Sequence, residues 1–326
     1  MKILLDGYFD HNLGDDLMLT IAAGDLKEHE LYIPSRKVNI ENAQYTEAKN
    51  GFDMYLRVTG SGFLLYNTLG VAYHLRDIYR EKKYAPKSAV IGCNIGPFGN
   101  RIGEAIIRNH LGRFDFVTVR DEWSLEYMNK YFPKKNTLCR PDMVFSLPDD
   151  MIPDVQSENI LGIAVRGTAD CESLAHIADG YIAETGGKVA VMCFDTGLEN
   201  DILAAELVYE KSRAKDKIEI VKYERIDDML CAIKRCSVML CVRLHSSILS
   251  ARMGVPFVPV PYSDKTVNAL SKAGFEGKSY RSGNLPEQEV LSALLNPQQF
   301  KLSTDVMSAA SEHVGKFKEY LASVQS

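Results

Sequence analysis

The chain lacks the cysteine spacing of a metal or redox centre. Its cysteines (Cys93, Cys139, Cys171, Cys193, Cys231, Cys236 and Cys241) form no C-x-x-C pair and have no histidines at ligand spacing beside them. Seven is an odd number, and the set reads as reduced thiols. The ladder Cys231, Cys236, Cys241 puts its first two members on a helix-like stretch and the third in an apolar, strand-like one. Buried small hydrophobes describe them better than ligands. Long hydrophobic runs are missing too: residues 238–242, between Arg235 and Arg243, fall far short of the ~18 residues that a membrane span needs. No bilayer-crossing helix is expected, while peripheral membrane contact stays open. Asp6 interrupts Ile3-Leu4-Leu5 before a signal-peptide core can form, which predicts a cytoplasmic protein.

Positive charge is not in excess. Lys and Arg number 38 against 43 Asp and Glu, a formal charge of −5, so no electrostatic grip on nucleic acid is expected and any anion is held by a few placed cations. Neither a G-x-G-x-x-G fingerprint nor a G-x-x-x-x-G-K-[ST] loop occurs, and there is no short repeat or low-complexity tract. What remains is an ordinary globular composition, 46% hydrophobic and 25% charged. At roughly 100 to 200 residues per domain, 326 residues predict two domains.

Short apolar runs alternate with amphipathic ones. Residues 2–5, 53–58, 87–92 and 116–119 read as strands, each followed by a helix-like segment such as the Leu17, Met18, Ile21, Ala22 stripe. A Pro- and Asp-rich stretch at 147–158 marks a boundary, and a second series follows with strands at 160–165, 189–193, 218–221, 238–242 and 257–260. Near-continuous Val/Ile/Leu strands separated by helices predict α/β architecture with parallel sheets covered on both faces. The predicted organisation is a Rossmann-like domain over 1–150, a second over 158–302, and a closing helix over 303–326 carried by Val306, Ala310, Phe317, Tyr320, Leu321 and Val324. Two doubly wound halves facing across a cleft would put their strand carboxyl ends on it, where such sheets bind ligands.

The strongest motif is Val242-Arg243-Leu244-His245-Ser246-Ser247, where an apolar strand meets a helix that Gly254 and Pro256 end. A helix N-terminus there favours a phosphate or carboxylate, Arg243 offers a planar fork, and His245 carries protons near neutral pH. The plainer alternative is a structural histidine and an arginine paired with an acid. Arg120, Arg166 and Lys265 follow strands at ligand-side positions, with surface solvation as their alternative. Asp121 and Glu122 could neutralise Arg120 locally, and Arg57, within its strand, reads as a buried ion pair. Gly60-Ser61-Gly62 and the turn Gly92-Cys93-Asn94-Ile95-Gly96-Pro97-Phe98 each follow a strand and allow close backbone approach. Asn12-Leu13-Gly14-Asp15-Asp16 joins the first strand to the first helix, where Asp15 or Asp16 serves as an N-cap or offers a carboxylate to sugar hydroxyls.

In order, Gly7-Tyr8-Phe9, Asn12-Leu13-Gly14-Asp15-Asp16, Gly60-Ser61-Gly62, Ile95-Gly96-Pro97, Val119-Arg120-Asp121-Glu122-x-Ser124, Arg243-Leu244-His245, Gly254-Val255-Pro256 and Tyr262-x-x-Lys265 resemble the polysaccharide pyruvyltransferase family, from the first strand to about Lys272. Departures lie in the N-terminal half: Ser61 stands where the family usually has the middle of three glycines, Cys93 and Asn94 replace a more usual Gln-Gly, and Asp16 stands where Glu is common.

The resemblance implies a fold like that of type B glycosyltransferases, phosphoenolpyruvate as donor, and a saccharide acceptor, free, nucleotide-linked or lipid-linked, that ends up carrying a pyruvate ketal. It places Arg120, Arg243, His245 and Lys265 at the donor, with Ser246 and Arg166 as further candidates. Asn12, Asp15, Gly60, Gly62 and Asn94 become acceptor or loop positions, with residues 12–16 on the acceptor-facing domain. His245 and Arg243 would be catalytic. No metal or cofactor is called for, since cations already neutralise the donor. Two rivals share these residues: a nucleotide-sugar glycosyltransferase of the same fold and a catalytically silent sugar-binding member.

Overall fold

The computed structural model of the chain describes residues 1–65, 68–167 and 170–325. The chain divides into two compact units, Met1–Phe9 with Asp15–Met143 and the stretch from Ser308, and Asp10–Gly14 with Val144–Met307.

In the first unit the order is β1 (Lys2–Asp6), α1 (Leu13–Asp25), β2 (Glu30–Ile33), β3 (Ala43–Tyr45), β4 (Met54–Val58), β5 (Phe63–Leu65), α2 (Thr68–Tyr84), β6 (Lys87–Cys93), β7 (Ile95–Phe98), α3 (Arg101–Leu111), β8 (Phe116–Val119), α4 (Glu122–Tyr131) and β9 (Leu138–Cys139). Among the described residues these give a parallel seven-stranded sheet, β3-β2-β1-β4-β6-β8-β9, and a small β5-β7 pair. The buried Leu4, Tyr55, Val90 and Val117 project from neighbouring strands into one core with Phe63, Ile107 and Phe114. Hydrophobic burial of these runs on both faces is what the near-continuous apolar strands require. β7 occupies what reads as a plain turn in the sequence. Its pairing with β5 is short, with a register shift, and carries too few residues to show a period.

The second unit continues with β10 (Glu158–Ala164), α5 (Cys171–Thr185), β11 (Lys188–Cys193), α6 (Asp201–Lys211), β12 (Ile218–Lys222), α7 (Ile226–Arg235), β13 (Cys236–Cys241), α8 (Leu244–Met253), β14 (Phe257–Pro259), α9 (Asp264–Lys272), α10 (Glu287–Leu295) and α11 (Thr304–Gln325). Its strands form a parallel sheet in the order β12-β11-β10-β13-β14. Both units are thus doubly wound α/β layers, as the alternation predicts. The Pro- and Asp-rich stretch is tethered within the second unit, because Arg252 of α8 donates to the Leu147 carbonyl (2.9 Å) and to Asp149 (2.5 Å).

Helix α11 returns to the first unit from Ser308 onward. It buries Ala310, Val314, Phe317 and Leu321, and also His313. Ser326, the end of the expected 303–326 helix, lies outside the described residues. All seven cysteines are free. Cys236 opens β13 instead of ending a helix, because the chain is already extended at that residue. Burial pushes the Cys93 thiol up to about 12 and the Cys241 thiol to about 11, which keeps both as inert packing groups. No helix among the described residues is long and apolar enough to cross a membrane.

Candidate active site

In the second unit the sheet order reverses between β10 and β13, and the residues just beyond those strands are Arg166 and Arg243. The buried β13 delivers the chain to Arg243, which holds extended backbone (φ −82°, ψ 142°) as the N-cap of α8. Gly254 ends that helix at φ 68°, a left-handed conformation suited to glycine. Arg243, as the N-cap residue, makes no side-chain capping bond to the helix start. Such a start favours an anion. Ser246 is buried and donates its hydroxyl to the Arg243 carbonyl (2.6 Å), so its proton serves the helix turn and not a ligand.

Arg243 is the paired arginine of the plainer alternative. Its Nε donates to Asp201 (2.8 Å), Nη2 to the other oxygen of Asp201 (2.5 Å) and Nη1 to Glu199 (2.6 Å). Asp201 also accepts from the backbone N–H groups of Phe194 (3.1 Å) and Asp195 (2.9 Å), which fixes its carboxylate. Burial alone would lower the Arg243 pKa, but the hydrogen bonds and charges of Asp201 and Glu199 raise it instead. Glu199 is shared. Arg166 donates to both of its oxygens (3.2 and 3.0 Å) while lying 3.8 Å over the Tyr262 ring. Burial acts to raise the Glu199 pKa, yet Arg243 and then Arg166 hold it below the ordinary carboxylate value. The Glu199 side chain is 43% exposed and Asp201 fully buried, so Glu199 is the member of the network that a ligand can replace.

His245, the second residue of α8, meets the segment Asp10–Gly14. That segment pairs with the end of β11: the Leu13 N–H donates to the Phe194 carbonyl (2.9 Å), the Thr196 N–H to the His11 carbonyl (3.0 Å) and the Asn12 side chain to Asp195 (2.9 Å). Asn12 also accepts from the Gly14 N–H (3.0 Å), which makes Asn12 the capping residue of α1. Asp15 lies one residue further on, in the first turn, where a carboxylate suits the helix dipole. The His245 imidazole lies so close to Gly14 that any β-carbon there would overlap it. Asn12 and Gly14 therefore belong with His245 in the second unit, whereas the sequence places them with the first domain. The backbone pairing with residues 194–196 is the cause. Lys265 is the second residue of α9, half-buried after β14.

In the first unit the structure brings Gly60, Asn94 and Arg120 together. Arg120 pairs with Asp142 and donates Nε to Asn94, whose amide donates in turn to Asp121. The Asn94 N–H reaches the Gly60 carbonyl at 2.6 Å, and a β-carbon on Gly60 would stand 2.7 Å from the Arg120 guanidinium. Gly60 is glycine because Arg120 crosses it. Local neutralisation of Arg120 by Asp121 and Glu122 is not what occurs: Asp121 caps α4 by accepting from the Ser124 N–H (2.7 Å), and the counter-ion is Asp142. Gly62 stays apart from this cluster, its free space filled by the Thr59 side chain.

Two Rossmann-like units, each with charged groups at its strand ends, define an α/β fold shared with sugar-nucleotide enzymes. The UDP-GlcNAc 2-epimerase of Neisseria meningitidis, solved bound to UDP-GlcNAc, is 9% identical with a TM-score of 0.61 over 98% of this chain and 100% of that one. The enzyme of Methanocaldococcus jannaschii is 10% identical with a TM-score of 0.60 over 98% of this chain and 100% of that one. These likenesses show the type B glycosyltransferase and epimerase fold.

Sequence narrows the class further. The chain belongs to the polysaccharide pyruvyl transferase family, whose profile matches residues 12–264, a stretch that takes in Arg120, Arg243 and His245 and stops one residue before Lys265. The amylovoran biosynthesis protein AmsJ of Erwinia amylovora is 23% identical over 260 residues, 71% of this chain. The match spans 62% of that relative's length.

Proposed function

We propose that the protein transfers the pyruvyl group of phosphoenolpyruvate onto two hydroxyls of a saccharide, forming a ketal in polysaccharide synthesis. The observation that carries this reading is the β13–α8 junction: a helix start whose N-cap residue, Arg243, turns its side chain away from it, His245 seated against Gly14, and Arg243 and Arg166 converging on the exchangeable Glu199.

Phosphoenolpyruvate brings a carboxylate and a phosphate. One of them takes the place of Glu199 against Arg166 and Arg243, and the other rests on the start of α8 with Lys265 beside it. Arg243, held by Asp201, is then a rigid part of the donor site. Arg120 stays a donor-side candidate on the family resemblance. No cofactor is called for.

The chemistry is a proton relay. C3 of the donor takes a proton and becomes a methyl while C2 becomes electrophilic. An acceptor hydroxyl adds to C2, phosphate departs, and a second hydroxyl closes the ring. Of the two hydroxyl protons released, one balances the methyl and one leaves on phosphate. His245 gives the first proton and recovers one from the attacking hydroxyl, a contribution on the order of 10² to 10⁴ in rate.

Donor choice tests the reading. Phosphoenolpyruvate should raise the melting temperature while a panel of nucleotide sugars leaves it unchanged. The opposite pattern would make the protein a nucleotide-sugar glycosyltransferase.

A further inference from the structure

Two neighbouring helices of the first unit, α2 and α3, turn an unusual face to solvent. From His74 onward α2 buries His74, Ile78 and Glu81 and exposes Leu75, Arg76, Tyr79, Arg80 and Lys83, so one stripe at helical spacing faces inward and the other outward. The helix packs on β4, β5 and α3. Helix α3 buries Ile107, His110 and Leu111 and exposes Arg101, Ile102, Ala105 and Asn109. Both outer stripes belong to the first unit alone.

The acids of these helices are engaged on the inner side. Arg57 Nη1 donates to Asp77 (3.2 Å) and Glu81 (3.4 Å), which makes Arg57 the buried ion pair that its place in the strand predicts. Glu81 also meets His110 (2.8 Å), whose other ring nitrogen meets His74 (3.1 Å). On α3 the one acid, Glu104, accepts from the Tyr131 hydroxyl of α4 (3.2 Å). Asp77 and Glu104 are half-buried and Glu81 is buried, so the exposed charges described on the two helices are all positive: Arg76, Arg80, Lys83 and Arg101. Arg76 also leans on the neighbouring Asp77 (3.3 Å). A merely solvated helix face mixes acids with bases three or four residues apart, and this one does not.

Apolar side chains stand among those cations. Leu75 is 51% exposed, Tyr79 64% and Ile102 72%, three of the nine large hydrophobic residues that the described part of the chain exposes. Solvation does not favour that concentration. The chain as a whole carries a charge of −5, so this face opposes the sign of the molecule and attracts a negative surface locally. A nucleic-acid backbone would satisfy the cations and leave the aliphatic groups in water. The headgroup layer of an anionic bilayer satisfies both: Leu and Ile reach the acyl boundary, Tyr sits at headgroup level, and Arg and Lys meet lipid phosphates. Lys83 donates to the Tyr79 hydroxyl (2.6 Å), which keeps both polar tips at one level.

We infer that the outer face of α2 and α3 docks on a bilayer that carries anionic phospholipid, with Leu75, Tyr79 and Ile102 entering the headgroup layer and Arg76, Arg80, Lys83 and Arg101 on its phosphates. Such docking needs only this face and holds whatever the donor is.

The test is flotation of the full chain with vesicles of phosphatidylcholine alone, or of phosphatidylcholine and phosphatidylglycerol in equal parts. Wild type should float with the anionic vesicles only, and less as salt rises. Leu75→Gln with Tyr79→Gln, and Arg80→Glu with Lys83→Glu, all at exposed positions, should each weaken partitioning about tenfold or more while urea midpoints stay at the wild-type value. Lys222→Glu with Arg225→Glu, exposed on the second unit, makes the same change in net charge and should float as wild type does. Failure of wild type to float, equal flotation with phosphatidylcholine alone, undiminished flotation of Leu75→Gln with Tyr79→Gln, or an equal loss in the second-unit variant overturns the proposal. A wild-type dimer in sedimentation velocity that Leu75→Gln with Tyr79→Gln turns into a monomer, with no vesicle flotation, assigns the face to a second copy of the chain and overturns it as well.

Discussion

The His245 imidazole rests directly on the Gly14 backbone, with no room for a β-carbon at that position. Gly14 is helical, so alanine suits its backbone and the only penalty is the clash with the ring. Gly14→Ala should therefore displace His245 while leaving the fold intact. The expected result is a fall in kcat on the order of 10², approaching that of His245→Gln, with donor binding retained. Kinetics paired with far-UV circular dichroism checks this. Near-normal turnover in Gly14→Ala would remove the catalytic role from His245 as placed.

On the proposed reading, Glu199 competes with phosphoenolpyruvate for Arg166 and Arg243. Removing its charge should help binding, so Glu199→Gln is expected to tighten phosphoenolpyruvate several-fold, by about 1 kcal/mol. Calorimetric titration of the variant measures it. Weaker donor binding would mean that Glu199 orients the arginines instead of standing in for a ligand.

Arg243 is bound to a carboxylate with no exposure, so its geometry matters as much as its charge. Arg243→Lys keeps the cation but cannot span both oxygens of Asp201 and also reach Glu199. We expect a loss of about 1–3 kcal/mol in stability together with weaker donor binding. Urea unfolding and donor titration on the same preparation separate the two effects. A lysine variant equal to wild type in both would leave the fork without a role.

His313 ties α11 to the first sheet. The Gly92 N–H donates to the Thr118 hydroxyl (3.0 Å), that hydroxyl donates to His313 Nδ1 (2.6 Å), and His313 Nε2–H donates to the Pro141 carbonyl (2.9 Å), which requires a neutral ring. Burial lowers the His313 pKa from 6.5 to about 4. A base depressed on folding contributes stability that is complete above its unfolded value and is lost as pH falls from about 6.5 through about 4, because the unfolded chain takes up the proton first. Between pH 7 and 5 His313 alone should account for a loss of about 2 kcal/mol, and His74, which burial also lowers to about 4, adds to the wild-type decline. Urea midpoints at those two pH values, in wild type and in His313→Gln, check it: the variant should show a shallower decline. An equal decline in both would place the titrating group elsewhere.

Much of this was legible in the sequence because it is local. The apolar runs at 116–119 and 238–242 lead straight into helices, and the junction at Arg243 and His245 stands out from residue types alone. The partners of those residues do not. Glu199 and Asp201 lie 44 and 42 positions from Arg243, and Asp142 lies 22 from Arg120, so only the sheet topology brings them together. The pairing of Asp10–Gly14 with the end of β11 is also long-range, which is why Asn12 reads as a loop of the first domain until the structure shows its bond to Asp195.

Pyruvyl transfer is tested most directly by mass spectrometry of saccharide acceptors after incubation with phosphoenolpyruvate in deuterated water, with phosphate measured alongside. The account predicts a product heavier by one pyruvate less one water, its new methyl carrying one solvent deuterium, and an equal amount of phosphate. Consumption of a nucleotide sugar with no pyruvylated product from any acceptor would contradict it.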